Sequence, residues 1–283
     1  MKLRALETEL QQVDPFDSPK IELEQVPTSP ALAARMIFSA ENMYGDIRDR
    51  VVGDFGSGPG MLSIACSIMG ATSVHGFEVD TDALENAWVN VQKLEITNID
   101  FVQLDLQSLS LSMNADGTCP FDTVVMNPPF GTRNAGIDTA FLEKAMKYSN
   151  VVYSLHKSST REHFVRVAGA MGFTLEVIAE VKYDIPKTFK YHKDKSRDIA
   201  VDLLRFSREV PVVAAAAQGV KPEKAADSVF GFGGGGEDSS RAAGEGEGEG
   251  EGEGEGEREG RSMNRVSSNP PQNKVIECTN GKP

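Results

Sequence analysis

A short apolar run that breaks into alternating glycines sets the architecture of this chain: Val51-Val52-Gly53-Asp54-Phe55-Gly56-Ser57-Gly58-Pro59-Gly60. Its apolar half predicts a buried β-strand, and residues 61–69 predict a helix that ends at Gly70. Glycines at such a junction let the backbone pass close to a ligand, where a Cβ atom would collide. The last two glycines are one residue apart, whereas the dinucleotide fingerprint has two residues there, so a nucleoside without a pyrophosphate is favoured.

Acidic residues follow the next two predicted strands. The strand in residues 73–80 carries Glu78 about twenty residues beyond the glycines, a position from which a carboxylate can hold ribose hydroxyls. The alternative for Glu78 is a charge at the N-terminus of the following helix. The strand in residues 99–106 ends in Asp105 and Leu106. Here the carboxylate is placed to accept from an adenine amino group while the leucine packs on the ring.

The tetrapeptide Asn127-Pro128-Pro129-Phe130 follows a further predicted strand, residues 121–126. Two prolines hold the preceding backbone extended, so the carbonyls of Asn127 and Pro128 can point outward unpaired. The Asn127 side chain adds another acceptor, and Phe130 adds a flat apolar face. Such acceptors suit the exocyclic amine of a heterocycle. The alternative is a proline-rich turn that caps a strand, with Phe130 in the core.

Strand and helix patterns alternate along most of the chain. A helix is predicted at about 28–44, βα units at 51–171, and two longer strands at 173–184 and 199–207. Repeated βα units predict an α/β fold with a parallel sheet, and the last two strands predict an antiparallel hairpin at one side. Residues 1–208 suffice for one domain. Residues 209–283, rich in Gly and Glu, are predicted to be a disordered tail.

The net charge of −13 argues against general attraction to phosphates. A local basic segment between the last two strands is interleaved with Tyr183, Phe189 and Tyr191. Cations with stacking rings are typical of surfaces that guide an RNA backbone, although a solvated loop has a similar composition. The candidate RNA-binding residues are Lys182, Lys187, Lys190, Lys193, Lys195 and Arg197.

Cysteine spacing and hydropathy indicate in which compartment the protein is expected. Cys66, Cys119 and Cys278 show no paired spacing, which predicts neither a disulfide framework nor a metal site and favours an intracellular compartment. No apolar stretch has the length of a signal core or a membrane span, so we expect a soluble chain.

Together these motifs resemble Rossmann-type S-adenosylmethionine-dependent methyltransferases, and specifically the methyltransferase-like protein 5 family. The resemblance covers about residues 1–208. It implies a seven-stranded sheet, S-adenosylmethionine as cofactor, and methylation of N6 of one adenosine in small-subunit (18S) ribosomal RNA. It rests on residues 25–28, 33–36, 126–132, 153–163 and 198–206, among which the string His156-Lys157-Ser158-Ser159-Thr160-Arg161-Glu162-His163 is the most specific.

The resemblance also implies roles for individual residues. Asn127, Pro128, Pro129 and Phe130 form the catalytic motif, and a set of polar and small residues binds the cofactor: Gln25, Thr28, Asp54, Gly56, Gly58, Pro59, Glu78, Asp105 and Leu106. Two departures from the family pattern concern the cofactor site. Ser57 and Pro59 replace cysteines that are often seen in the glycine loop, and Glu78 stands where an aspartate is common.

A partner and a location follow from the resemblance as well. The family implies a heterodimer with a small zinc-binding methyltransferase activator, which would cover apolar surface or pair with an exposed strand on the side of the second and third strands. Phe77, Phe101 and Val102 are candidates for that surface, with core burial as the alternative for each. The implied location is the nucleus or nucleolus and the cytoplasm.

The predicted mechanism needs no dedicated general base. Acceptors at Asn127 and Pro128 would hold both N–H groups and aim the nitrogen lone pair, so alignment supplies most of the acceleration. The adenosine must be unpaired or flipped out, with Phe130 replacing lost stacking. Other amine substrates remain open, namely guanine N2, DNA adenine or a protein glutamine, although glutamine enzymes generally carry tyrosine in place of Phe130. A catalytically silent RNA-binding scaffold is the remaining alternative.

Overall fold

A seven-stranded β-sheet forms the centre of the computed structural model, which describes residues 1–184 and 198–208. The strands are β1 Val51–Phe55, β2 Ser73–Glu78, β3 Ile99–Gln103, β4 Phe121–Met126, β5 Ser149–Lys157, β6 Phe173–Asp184 and β7 Asp198–Arg208. Their order is β3-β2-β1-β4-β5-β7-β6. β1 to β5 are parallel, whereas β7 runs antiparallel to both of its neighbours. The predicted α/β sheet with an antiparallel final pair is confirmed, and the predicted tail lies outside the described residues.

Helices flank this sheet on the two sides. They are α1 Leu3–Leu10, α2 Pro30–Tyr44, α3 Met61–Ile68, α4 Thr81–Lys93, α5 Ile137–Tyr148 and α6 Arg161–Ala170, with single 3-10 turns at Ile21–Leu23, Leu106–Ser108 and Ser158–Thr160. Asp105 and Leu106 therefore belong to the turn after β3, and the carboxylate of Asp105 caps that turn by accepting from the Gln107 N–H at 2.9 Å.

The reversal of strand order beside β1 places two loops next to each other. β2 and β3 lie on one side of β1 and β4 lies on the other, with Asp54 of β1 opposite Val125 of β4. The chain therefore leaves the ends of β1 and β4 at the same edge of the sheet. Open α/β sheets bind ligands in the crevice at such a switch point. The glycine loop and the Asn-Pro-Pro-Phe tetrapeptide meet there.

Alternating side chains build a hydrophobic layer on each face of the sheet. Val125 and Tyr153 point into the layer that holds α1, α2 and α3, whereas their neighbours Val124 and Val152 point into the layer that holds α5 and α6. All four are fully buried. Strands covered on both faces read as continuous apolar runs, which is why the strand patterns could be recognised from the sequence.

The N-terminal helix α1 was not predicted. It has only eight residues, and helices of this length are marginal in water unless an apolar face is buried. Leu6 and Leu10 supply that face, since both are fully buried in the layer that contains α2. Tertiary packing therefore stabilises α1, and the helical spacing of Leu3, Leu6 and Leu10 is the sequence signal that could have predicted it.

A buried carboxylate links β7 to the start of α6. Asp202 is fully buried and accepts from Arg161 Nε at 2.7 Å, from Arg161 Nη2 at 2.8 Å and from Ser158 Oγ at 2.6 Å. A buried charge is tolerated when it is paired and hydrogen-bonded in this way, and it becomes costly when one partner is removed. This cluster fixes the turn that follows β5.

Beside this cluster, His156 near the end of β5 is buried in an apolar setting. Its Nε2 lies 2.8 Å from Ser154 Oγ, and its ring centroid lies 3.8 Å from that of Phe164. Burial lowers the pKa of His156 to about 3, with the charge of Asp202 opposing and that of His163 adding to the shift. The imidazole is therefore neutral in the folded protein at neutral pH.

We expect His156→Gln to make the free energy of unfolding less dependent on pH between 7 and 5. In the wild type the folded pKa lies below the unfolded value of about 6.5, so the unfolded state takes up the proton first and stability falls as pH drops. The contribution is at most about 1.4 kcal/mol per pH unit. Urea unfolding at several pH values measures both slopes, and equal slopes would contradict this account.

Candidate active site

A cavity of about 250 Å³ opens at the carboxyl ends of the parallel strands. Its walls come from the glycine loop, the ends of β2 and β4, the turn after β3, the segment before α2 and the start of α5. Most of the residues predicted for cofactor and amine binding line this one cavity: Gln25, Thr28, Gly56, Gly58, Pro59, Glu78, Asp105, Leu106, Asn127 and Pro129.

Three other predicted site residues lie just outside the cavity lining. Asp54 is buried at the end of β1, where its Oδ2 accepts from Ser63 Oγ at 2.6 Å. Its Oδ1 has no hydrogen-bond partner among the described residues, and burial raises the pKa of Asp54 to about 7. Pro128, the second residue of the tetrapeptide, is buried, and Phe130 is half-buried. Through its hydrogen bond with Ser63, Asp54 thus ties the end of β1 to α3, the helix that follows the glycine loop.

The backbone of the glycine loop is held by the Glu78 carboxylate. Glu78 Oε2 accepts from the Gly58 N–H at 2.9 Å, while Oε1 accepts from the N–H groups of Val79 and Asp80 at 2.9 and 3.0 Å. Burial raises the pKa of Glu78 and outweighs these bonds, which lower it. The helix α4 is capped instead by Asp80, which accepts from the Asp82 N–H at 3.2 Å. Glu78 both shapes the loop and faces the cavity.

Gly58 is the tightest point of the loop. Its φ of +51° lies in the left-handed region, and a Cβ atom at this position would stand 2.7 Å from the ring of Phe16. The neighbouring Ser57 is buried, and its Oγ has no partner among the described residues. The loop therefore lines the cavity with bare backbone, while the Ser57 hydroxyl group is itself buried.

The side-chain amide of Asn127 is oriented by a threonine. Asn127 Nδ2 donates to Thr28 Oγ1 at 3.0 Å, which ties the tetrapeptide to the turn before α2. Its Oδ1 accepts no hydrogen bond from the described residues and is left for the cavity. One of the two amide N–H groups is engaged by Thr28, and Oδ1 is the acceptor that the side chain offers to a ligand. Binding the N–H groups of an amine requires such an acceptor.

The backbone carbonyl of Phe130 is held from the far side of the tetrapeptide. Lys157 Nζ donates to this carbonyl at 3.2 Å and lies 6.0 Å from the centroid of the Phe130 ring. The lysine comes from the end of β5, which the Asp202 cluster positions. Together, Thr28 and Lys157 hold the first and last residues of the tetrapeptide.

A roof over the cavity, formed by residues 14–25, was not predicted apart from Gln25. The roof is tied to α4 through Asn90, whose Oδ1 accepts from the Asp14 N–H and whose Nδ2 donates to the Asp14 carbonyl, both at 2.9 Å. Phe16 and residues 22–25 line the cavity. No periodicity marks this segment, because it is held by isolated polar contacts. The local signal for the roof in the sequence is Asn90, a polar residue that stands on the apolar, buried face of α4.

The second anchor of the roof lies beside Glu78. Lys20 Nζ donates to Asp80 and lies 2.8 Å from Asp82 Oδ2, while Gln25 Nε2 donates to Asp80 Oδ2 at 2.7 Å. Gln25 Oε1 accepts from the Lys20 N–H at 2.7 Å. Gln25 thus has a local structural use in addition to its position on the cavity wall.

Several predictions concern residues whose side chains lie outside the described part of the chain. They include the whole basic set Lys182, Lys187, Lys190, Lys193, Lys195 and Arg197. Within residues 1–184 and 198–208, Cys66 and Cys119 are buried free thiols, and no group of side chains suited to holding a metal ion was found. No helix in those two ranges is long and apolar enough to cross a membrane.

Comparisons with known proteins agree with this geometry. The chain matches the methyltransferase small domain family over residues 34–151. It is 48% identical over 209 residues to the rRNA N6-adenosine-methyltransferase METTL5 of Danio rerio, covering 73% of this chain and 99% of the relative. The Drosophila melanogaster Mettl5 protein is 47% identical over 208 residues, with coverages of 73% and 96%. A crystal structure of a proposed RNA methyltransferase from Pyrococcus horikoshii aligns with a TM-score of 0.65 at 32% identity, over 74% of this chain and 99% of that one.

We expect Gly58→Val to abolish binding of S-adenosylmethionine, measured by calorimetry. A branched side chain there would strain the left-handed backbone, displace Phe16 and intrude where the loop meets the ligand. Gly45→Val is the matched control, because Gly45 has a φ of +68° but open space around its Cβ position. It should unfold more easily yet bind normally. Unchanged affinity in Gly58→Val would reduce the glycine loop to a turn.

Proposed function

This chain belongs to the METTL5 family of rRNA N6-adenosine-methyltransferases, and on that premise we propose that it transfers a methyl group from S-adenosylmethionine to N6 of an adenosine in small-subunit (18S) ribosomal RNA. The observation that carries the proposal is the orientation of Asn127. Its amide donates to Thr28 and leaves an acceptor at the cavity, next to a loop suited to a nucleoside.

Several residues that line the cavity support the proposed cofactor. Gly56 and Gly58 offer close backbone approach, and the buried Ser57 hydroxyl lacks a partner among the described residues. Glu78 offers carboxylate oxygens for ribose hydroxyls. Asp105 and Leu106 line the same cavity and fit an adenine amino group and ring. When bound, S-adenosylmethionine supplies an electrophilic methyl group.

The residues of this chain act on the target amine by holding it. The lone pair of an adenine amino group is delocalised into the ring, so N6 is a poor nucleophile until it is pyramidal. With the amine bound, Asn127 Oδ1 and the Pro128 carbonyl would accept its two N–H groups and orient the nitrogen lone pair for methyl transfer. The product proton passes to water. Rigidity of the tetrapeptide, held by Thr28 and Lys157, supplies the alignment.

The substrate must deliver an unstacked base. A target adenine inside a duplex is out of reach, so it is single-stranded or flipped out, with Phe130 replacing part of the lost stacking. The described end of β6 and the start of β7 lie at the cavity edge of the sheet, since Val201 of β7 pairs with Lys157 at the end of β5 and Asp184 pairs with Asp198. That position supports the proposal that the basic residues of 182–197 guide the RNA backbone. We also propose that the protein is located in the nucleolus, the nucleus and the cytoplasm.

Replacing Asn127 with alanine tests the proposed reaction. We expect Asn127→Ala to lose about a hundredfold or more in methyl transfer, as seen when a key orienting hydrogen-bond group is removed, while the affinity for S-adenosylmethionine stays near wild type. N6-methyladenosine in ribosomal RNA is measured by nucleoside mass spectrometry with site mapping. Asn42→Ala, which removes an exposed amide on α2 that donates to the Phe38 carbonyl, is the control. Retained activity in Asn127→Ala would refute the mechanism.

A partner subunit is the second part of the proposal. β3 is an edge of the sheet and pairs only with β2 within the described ranges. Apolar surface lies beside it, because Trp88 and Val89 of α4 are 38% and 57% exposed and the Trp88 ring packs on Phe101 at 5.3 Å. Among the predicted surface residues Phe77 is buried in the core, whereas Phe101 and Val102 are half-buried. We propose that a small zinc-binding methyltransferase activator pairs with β3.

The partner surface is tested at Trp88. Expressed alone, the chain should aggregate or be weakly active, and co-expression with the activator should restore it. Trp88→Ala should weaken the complex in size-exclusion and co-purification experiments, since it removes the exposed ring against β3. Val165→Ala, which removes an apolar side chain that is 51% exposed on α6, should leave the complex intact. A fully active, soluble monomer would count against the partner.

A further inference from the structure

One carboxylate in the roof grips the loop that follows the catalytic tetrapeptide. Glu24 ends the 3-10 turn Ile21–Leu23 and has a left-handed φ of 52°. Its Oε2 accepts from the N–H of Thr132 at 3.0 Å and from Thr132 Oγ1 at 2.6 Å. Its Oε1 accepts from the N–H groups of Arg133 and Asn134 at 2.8 and 3.3 Å. One side chain thus gathers donors from three consecutive residues.

The gripped loop is part of the site. Residues 131–134, named here the substrate-side loop, follow Phe130 directly, and Asn134 lines the cavity. Successive backbone N–H groups that converge on one anion form a nest, which fixes the local backbone. Thr132, Arg133 and Asn134 are exposed, so apolar burial contributes little to holding this loop. The carboxylate is its main fixed point among the described contacts.

The same roof is anchored beside the cofactor end of the cavity. Lys20 and Gln25 bind Asp80, two residues after Glu78, whereas Glu24 binds the loop beyond the tetrapeptide. Residues 20–25 therefore connect the glycine-loop side of the cavity to the side of the tetrapeptide. Fixing one anchor restricts the position of the other.

We propose that Glu24 is a positioning residue for methyl transfer, which holds the substrate-side loop and through it the Asn127–Phe130 tetrapeptide in the geometry that receives the target adenine. The proposal rests on the proposed function and extends it to the coupling between the two ends of the cavity. Both carboxylate oxygens of Glu24 are engaged by the substrate-side loop, so its effect is on the alignment of the acceptors. Loss of the grip should reduce turnover with RNA more than cofactor binding, because Gly58, Glu78 and the Lys20 anchor are untouched.

The chemistry of the nest makes glutamine an informative replacement. Glu24→Gln keeps the size and one oxygen but points an NH2 group at donors that need an acceptor. Glu24→Ala removes both oxygens and leaves the N–H groups to water. Partial burial raises the pKa of Glu24, whereas the bonds from Thr132, Arg133 and Asn134 lower it, and the balance is a lowered pKa. The native side chain is therefore the charged acceptor at neutral pH.

The experiment compares the full-length wild type, Glu24→Gln and Glu24→Ala with Glu41→Gln. Glu41 is a matched control because its Oε2 likewise accepts from the backbone, from Arg48 N–H at 2.8 Å, but it lies outside the cavity lining. We expect both Glu24 variants to lose about tenfold or more in kcat on ribosomal RNA, the effect of losing a hydrogen bond to a charged group, with cofactor affinity changed less than about threefold. Hydrogen exchange should accelerate in residues 131–134 alone.

The outcomes separate this inference from the proposed function. Wild-type kcat and slow exchange in the substrate-side loop of both Glu24 variants would overturn the positioning role while leaving the function intact. An equal loss in Glu41→Gln would overturn it too, because the effect would then reflect general destabilisation. A wild-type protein that methylates no RNA would overturn both proposals.

Discussion

The hydrogen bond from the Gly58 N–H to the Glu78 carboxylate is the constraint on which the cavity depends. It joins the end of β2 to the loop after β1, so these two ends cannot separate without leaving a buried carboxylate short of a donor. Val79 and Asp80 complete its shell, and Asp80 in turn anchors the roof. The glycine loop, the end of β2 and the roof are thus connected through Glu78 and Asp80.

The sequence was sufficient for the sheet and for most of the cavity wall, because both depend on local patterns. Buried strands can be recognised in the sequence as apolar runs. The glycines of the loop and the prolines of the tetrapeptide have backbone properties that few other residues can supply. Placement at a switch point then follows from topology, which brought residues as distant as Gly58, Asp105 and Asn127 to one cavity.

The roof could not be derived in the same way. Its contacts join Asp14 to Asn90 and Glu24 to Thr132, pairs that are far apart in sequence and share no period. Single polar contacts of this kind leave no trace in hydropathy. Glu24 illustrates the point, since a glutamate in a polar segment is ordinarily read as a solvated charge, and only the fold supplies the three N–H groups that give it a use. The helix α1 escaped notice for a different reason, because its apolar residues have helical spacing but its eight residues are marginal as a helix without the layer it packs into.

The antiparallel course of β7 determines where the described part of the chain ends. β7 starts at the cavity edge and returns along β5, so that Ser207 lies opposite Val151 near the beginning of that strand. Eleven residues of strand span roughly 35 Å. Arg208, the last residue of β7, therefore lies at the opposite end of the strands from Asn127. The described part of the chain thus ends near the amino-terminal ends of the parallel strands, whereas the residues that line the cavity all precede β5 and lie at the carboxyl ends of those strands.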